Sequence, residues 1–195
     1  MTNLNEMTNE ITVEWLEDRD ARQEGVDWVI KCGETDPASL LQRAVSSDDR
    51  AMMNFGVWMI IRLLSKKDNT RFAIFCAESV VGLFEEKNPG DKRPRKAIQV
   101  AKGCLKNTEN KKAAEAARTA ALAAAAMAYD TNAWAAARAA AACAYASSDD
   151  YHAVYYAVDA HYAVDAHHAA DEKGELYRKF VNFGIKLIKE RRKVT

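Results

Sequence analysis

The residues best equipped for chemistry are crowded into one short stretch. All four histidines and six of the seven tyrosines of this 195-residue chain fall between Tyr129 and His168. The stretch holds a tandem hexad, YAVDAH, at Tyr156–His161 and again at Tyr162–His167. Six residues turn an α-helix through about 600°, so the two copies face directions about 120° apart and do not stack into one stripe. Grouping by helical offset puts His161, Asp165 and His168 on one face at i, i+4 and i+7, and His152, Tyr156 and Asp159 on another at the same offsets. Two imidazoles and a carboxylate on one face are ingredients of a metal site, and a His–Asp pair those of proton transfer. Neither set is complete, because the chain has no HExxH and no second carboxylate motif, and short repeats in an alanine-rich tract create such offsets by themselves. The preferred reading is a wet seam of aspartates and histidines bonded to each other or to basic residues. A ligand or partner site comes second, and a metal or catalytic site third.

The run Asp91-Lys92-Arg93-Pro94-Arg95-Lys96 is the other unusual constellation. It sits at an expected helix start, where free backbone N–H groups favour anions and two arginines can grip a carboxylate or phosphate in bidentate fashion. Basic residues there oppose the helix dipole, so an acidic partner should compensate them. From Ala139 to Glu172 the chain has no lysine or arginine but carries Asp149, Asp150, Asp159, Asp165, Asp171 and Glu172. The expectation is an internal tie between Lys92, Arg93 and Arg95 and that acidic segment, worth a few kcal/mol if buried. The alternative is an acidic patch on a partner protein. No glycine-rich loop accompanies the arginines, no GxSxG occurs, and no cysteine lies near a histidine in sequence.

These groups must be positioned by helices. Asp36 before Pro37 reads as an N-cap with proline in the first turn, leading a helix through Leu40, Leu41 and Ala44, and Gly33 ends the helix before it. Ser46 to Asp49 cap a long apolar helix through Met53, Val57, Ile60, Ile61 and Leu64. Asp68 is expected to cap a segment whose Phe72, Phe75, Cys76, Val80, Leu83 and Phe84 share one helical face. The cluster Asn88 to Asp91 makes a turn, and Pro94 opens a helix through Ala97, Val100, Ala101 and Leu105. Interruptions at 107–110, 130–132, 147–150 and around Gly174 then predict four more helices, at 111–129, 133–146, 151–170 and 175–191. Period-two alternation of β-branched residues is absent, so the expected fold is all-α, a compact bundle or layered array of eight to ten short helices.

Alanine supplies the architecture of the second half. It occurs 36 times, and 28 of these fall among the 58 residues from Ala113 to Ala170. Such segments are helical with little tertiary help. A buried alanine contributes little hydrophobic area, but it lets helix backbones approach to the short end of the usual 8–10 Å range, where dispersion contacts are dense. Interleaved Leu122, Met127, Tyr129, Trp134 and Tyr145 favour packed over solvent-exposed alanine helices. The expected organisation is a mobile terminus over 1–10 and one helical domain over 11–195, with large core residues in 11–106 and close alanine packing in 107–195.

Composition narrows the function classes. With 28 basic and 28 acidic residues the chain is neutral, which argues against a general nucleic-acid binder. Cys32, Cys76, Cys104 and Cys143 show no CxxC spacing and read as buried apolar residues. No apolar run approaches the roughly 18 residues of a membrane span, and the start MTNLNEMTNE has no signal-peptide pattern, so the expected location is the cytoplasm. No motif calls for a cofactor.

The order of features resembles a known family. The helix end at Trp28–Cys32, DPASLLQRAV at Asp36–Val45, WMIIRLL at Trp58–Leu64, LFEEKNPGDKRPRKAI at Leu83–Ile98 and the alanine, tyrosine and aspartate tract look like the alanine-rich immunity proteins found beside bacterial toxin genes and in phage genomes. The resemblance covers about Asp27 to Ala170, and GDKRPRKAI is its most specific piece. It implies a small helical protein without enzymatic activity that binds and neutralises another protein, a toxin or a host defence factor. A metal- or ligand-binding protein using the 151–168 histidines and aspartates, and a self-assembling homo-oligomer joined through alanine faces, are the competing readings.

Overall fold

The computed structural model describes residues 10–47, 49–106, 111–128, 131–146 and 170–193. Among these, nine α-helices and no strand are found, as the sequence predicts. They are α1 (Val13–Glu17), α2 (Gln23–Cys32), α3 (Pro37–Ser46), α4 (Arg50–Leu63), α5 (Lys66–Lys87), α6 (Arg93–Lys106), α7 (Lys111–Met127), α8 (Thr131–Ala146) and α9 (Ala170–Arg192). Most of the expected terminus, 1–9, and the helix expected over 151–170, apart from Ala170, lie outside the described residues.

The caps account for the boundaries. Asp36 accepts the Ser39 N–H at 2.8 Å with Pro37 in the first turn, and Asp49 accepts the Ala51 N–H at 2.8 Å. Gly33 ends α2 with φ +60°, the left-handed conformation that glycine enters without penalty. Two boundaries differ from expectation. Helix α5 is capped by Ser65 and not by Asp68: the Asp68 N–H donates to Ser65 Oγ at 3.2 Å, and that hydroxyl donates to the Asp68 carboxylate at 2.8 Å. Asp68 is thus the third residue of the helix, its backbone and side chain both bonded to the Ser65 hydroxyl, and starts nothing. Helix α9 also runs through Gly174 instead of beginning after it, since a lone glycine costs a helix only about 1 kcal/mol.

The chain forms two compact units, Met1–Leu64 with Tyr177–Thr195, and Ser65–Leu176. In the first unit, Leu16, Leu40, Leu41, Met59, Ile60 and Leu187 are fully buried. An aromatic chain adds to this core, Phe55 stacking on Trp58 at 5.4 Å while Trp15 meets Trp58, and Trp28 meets Phe55, edge-on at 6.1 Å. Two glycines permit close approaches: a Cβ on Gly25 would lie 2.4 Å from the Phe55 ring, and one on Gly184 would lie 2.5 Å from Ile60. The end of α9 is tied down by Arg192, which donates to the Asp36 carboxylate at 2.6 Å, and by Arg191, which donates to the Leu63 carbonyl at 3.5 Å.

The second unit is built around α8, on which α5, α6 and α7 all pack. Every described alanine of α8 from Ala133 to Ala144, together with Cys143, is buried, while Trp134 and Arg138 reach partly to solvent. A helix apolar all round belongs at a centre, and alanine keeps its neighbours close. Of the alanine-rich helices, α7 and α8, which are described, are packed, as expected. Large residues of α5, among them Phe72, Val80 and Phe84, are buried in the same unit, so large and small residues share one core. On the outer helix α7 only Ala114, Ala121, Ala124 and Ala125 are buried, one face at helical spacing.

Candidate interaction surface

Of the residues singled out by sequence, Lys92, Arg93 and Arg95 are described. They lie at the start of α6, just after the turn that follows α5. Asp91 organises this start: its Oδ1 accepts the Arg93 backbone N–H at 3.0 Å, and its two oxygens take Arg93 Nε at 3.0 Å and Nη2 at 2.6 Å. The acid expected to offset basic residues at a helix N-terminus is therefore Asp91 itself. Arg95 makes a second fork, Nε to Glu85 Oε1 at 3.0 Å and Nη2 to Oε2 at 2.5 Å. Each guanidinium fork lowers the carboxylate pKa that it faces, outweighing the upward push of burial at Asp91 and Glu85, and both arginine pKa values rise in return.

Asp149, Asp150, Asp159 and Asp165, at which the expected tie from the basic run to the acidic segment would end, lie outside the described residues. Arg93 and Arg95 spend their forks on Asp91 and Glu85, carboxylates that the short α5–α6 turn delivers with almost no loop to close. The Arg95–Glu85 pair is also not buried, with the arginine side chain 40% exposed, so it is worth about 1 kcal/mol or less and not the few kcal/mol of a buried tie.

Sequence reasoning missed the larger pattern to which Arg95 belongs. Lys102 pairs with Glu78 at 2.6 Å. Glu78 and Glu85 are seven apart on α5, Arg95 and Lys102 seven apart on α6, and the numbers in each pair share one sum, so the two helices are antiparallel with the register fixed at two points. A heptad of acids facing a heptad of bases across a turn was the signal available. Further out, Arg118 of α7 stands 4.1 Å over the Tyr145 ring of α8, a cation–π contact between helices.

Asp149, Asp150, His152, Tyr156, Asp159, His161, Asp165 and His168 lie outside the described residues. Among the described residues no group of three His, Cys, Asp or Glu is placed to hold a metal. The thiols of Cys76 and Cys143 are buried in the core of the second unit, and burial pushes the pKa of each far up, which keeps them protonated and inert. No helix among the described residues is long and apolar enough to cross a membrane.

Fold and surface together define an all-helical protein in which Arg93, Arg95 and Lys102 pair with carboxylates at partly exposed positions. The family model described as Imm-5 like putative immunity protein matches residues 59–189, about two thirds of the chain, and the chain belongs to that family. The match begins later than the resemblance expected from Asp27 and runs on into the C-terminal helix, and it includes the turn and basic run at 88–96. No curated protein and no solved structure matches the chain.

Proposed function

We propose that the protein is a non-enzymatic immunity factor that binds a toxin or defence protein directly and neutralises it. The family match over residues 59–189 is the observation that carries this reading. The surface chemistry agrees with it, because the arginines with most catalytic or phosphate-binding potential are engaged with carboxylates of their own hairpin. Neutralisation by binding calls for an exposed, charged helical surface, and the α5–α6 hairpin with its two registered ion pairs offers one.

The test expresses each reading frame flanking the gene, alone and together with this protein, in a heterologous host. A frame that stops growth alone and is tolerated in its presence identifies the partner. The purified pair should then form a complex of fixed stoichiometry on size exclusion with light scattering. A toxin that is suppressed without forming any complex would contradict direct binding, and a folded protein that suppresses no flanking product and captures no stoichiometric partner from its native host would sink the reading.

A further inference from the structure

We infer that the solvent face of α6, the stripe Lys92, Lys96, Gln99, Gly103 and Lys106, docks an acidic surface of the protein partner, an inference that rests on the immunity reading above. These residues are spaced four, three, four and three apart, so they fall within about 40° of one line along the helix and extend about 21 Å. All five are exposed, while Pro94, Ala97, Ile98, Ala101 and Cys104 on the opposite face are buried.

Two features of the stripe work against the isolated protein. Lys92 and Lys96 are like charges at i and i+4 at the positive end of the helix dipole. No ion pair among the described residues engages Lys96 or Lys106, nor Lys111 and Lys112 at the start of α7, and Lys92 feels only the charge of Glu85, a carboxylate already held by Arg95. From 92 to 118 the chain has nine basic residues against Glu109 and Glu115, a local excess in a molecule of zero net charge. Gly103 is the second feature. A glycine inside a helix is unfavourable relative to alanine, yet a Cβ at Gly103 would meet nothing within 4 Å, so no packing inside the fold requires it. Exposed lysines flanking an uncharged centre, and a glycine where a second backbone can come close, are both accounted for by an acidic surface laid along α6.

A protein surface fits better than a nucleic acid. The two guanidinium forks that would grip phosphates or guanine edges are already bound to Asp91 and Glu85. No Phe, Tyr or Trp occurs from 92 to 128 to stack a base. At the Lys92 end, Met127 is 67% exposed and lies 3.6 Å from Arg93 Nη2, an adaptable apolar contact suited to a protein interface.

The test measures affinity by calorimetry for the partner identified by growth suppression, using the full chain. The variants are the charge reversal K92E/K96E/K106E, the steric variant Gly103→Tyr, and a control reversal K179E/K186E/K189E on the exposed side of α9. The first should raise Kd about 100-fold or more with a flattened salt dependence, the second about tenfold, and the control less than threefold, with all circular-dichroism melts cooperative. Wild-type affinity in both α6 variants overturns the inference while leaving the immunity reading intact. Failure of the wild-type chain to bind any partner overturns the reading itself. A gel shift of a 30-base-pair duplex by the wild type, abolished in K92E/K96E/K106E while the protein complex is unaffected, would reassign the stripe to nucleic acid and overturn it too.

Discussion

Replacing Gly184 by alanine should destabilise the protein even though alanine is the better helix residue. A Cβ at Gly184 would lie 2.5 Å from Ile60 Cδ1, 2.8 Å from Cγ1 and 2.9 Å from Cγ2, so the whole branched side chain is in the way and not merely its flexible end. Ile60 is fully buried, and a β-branched residue in a helix has one strongly preferred χ1, which leaves it nowhere to turn. Overpacking of this kind costs about 1–3 kcal/mol, and the gain in helix propensity returns about 1 kcal/mol. The net loss should be up to about 2 kcal/mol, a fall in Tm of up to about 8 °C at this chain length. Gly82→Ala in α5 is the internal control, because a Cβ there meets nothing within 4 Å and only the propensity gain of about 0.5–1 kcal/mol remains. Thermal melts followed by circular dichroism should therefore move in opposite directions for two chemically identical substitutions. Ile60→Ala removes all three obstructing atoms, and on that background Gly184→Ala should become neutral or stabilising. A Gly184→Ala protein that melts above the wild type, or that loses as much stability in the Ile60→Ala background, would refute the close approach.

The central position of α8 predicts that Ala137→Leu, at a fully buried site, costs about 1–3 kcal/mol or more by overpacking, whereas Ala123→Leu on the exposed side of α7 changes stability by about 0.5 kcal/mol or less; urea unfolding of both variants separates the sites. Burial alone would raise the Asp36 pKa, but hydrogen bonds from Arg192 and Ser39 and the Arg192 charge outweigh it and hold the carboxyl below its ordinary value. A lowered folded pKa adds stability that is present above the unfolded value near 4 and lost as pH falls through the folded one, so Arg192→Ala should cost about 1 kcal/mol or less at about pH 7 and clearly less at about pH 3. The thiol of Cys32, the one cysteine that is not buried, should react with a disulfide reagent in the native protein, while Cys76 and Cys143 should react only on unfolding; equal native rates would contradict their burial.

How much of this was legible from sequence depends on the range of the interaction. Caps act over three residues, and Asp36-Pro37, Asp49 and Gly33 are found where the sequence puts them. Ser65 was hidden by its own partner: in Ser65-Lys66-Lys67-Asp68 both ends are good capping residues, and only the direction of the hydrogen bonds shows which one begins the helix. Gly174 misled because a break signal is probabilistic, and a helix rich in favourable neighbours absorbs one glycine. That the described alanine helices pack was legible, but not that α8 takes the central place while α7 buries only one face, since both carry similar composition and differ in which faces are interrupted by charge.

The arginines show the same limit in the other direction. Composition set a basic run against a distant acidic tract, and charge balance alone would join them. Both arginines grip nearer carboxylates, because Asp91 and Glu85 sit on the same hairpin and cost little chain entropy to reach. Once those forks are satisfied, what the hairpin still offers to another molecule is its lysines, which no sequence motif had separated from the arginines beside them. The useful distinction at such a surface is therefore between charges that hold the fold in register and charges that the fold leaves exposed. On α6 these alternate around the helix, Arg95 and Lys102 turned toward α5 and Lys92, Lys96 and Lys106 toward solvent.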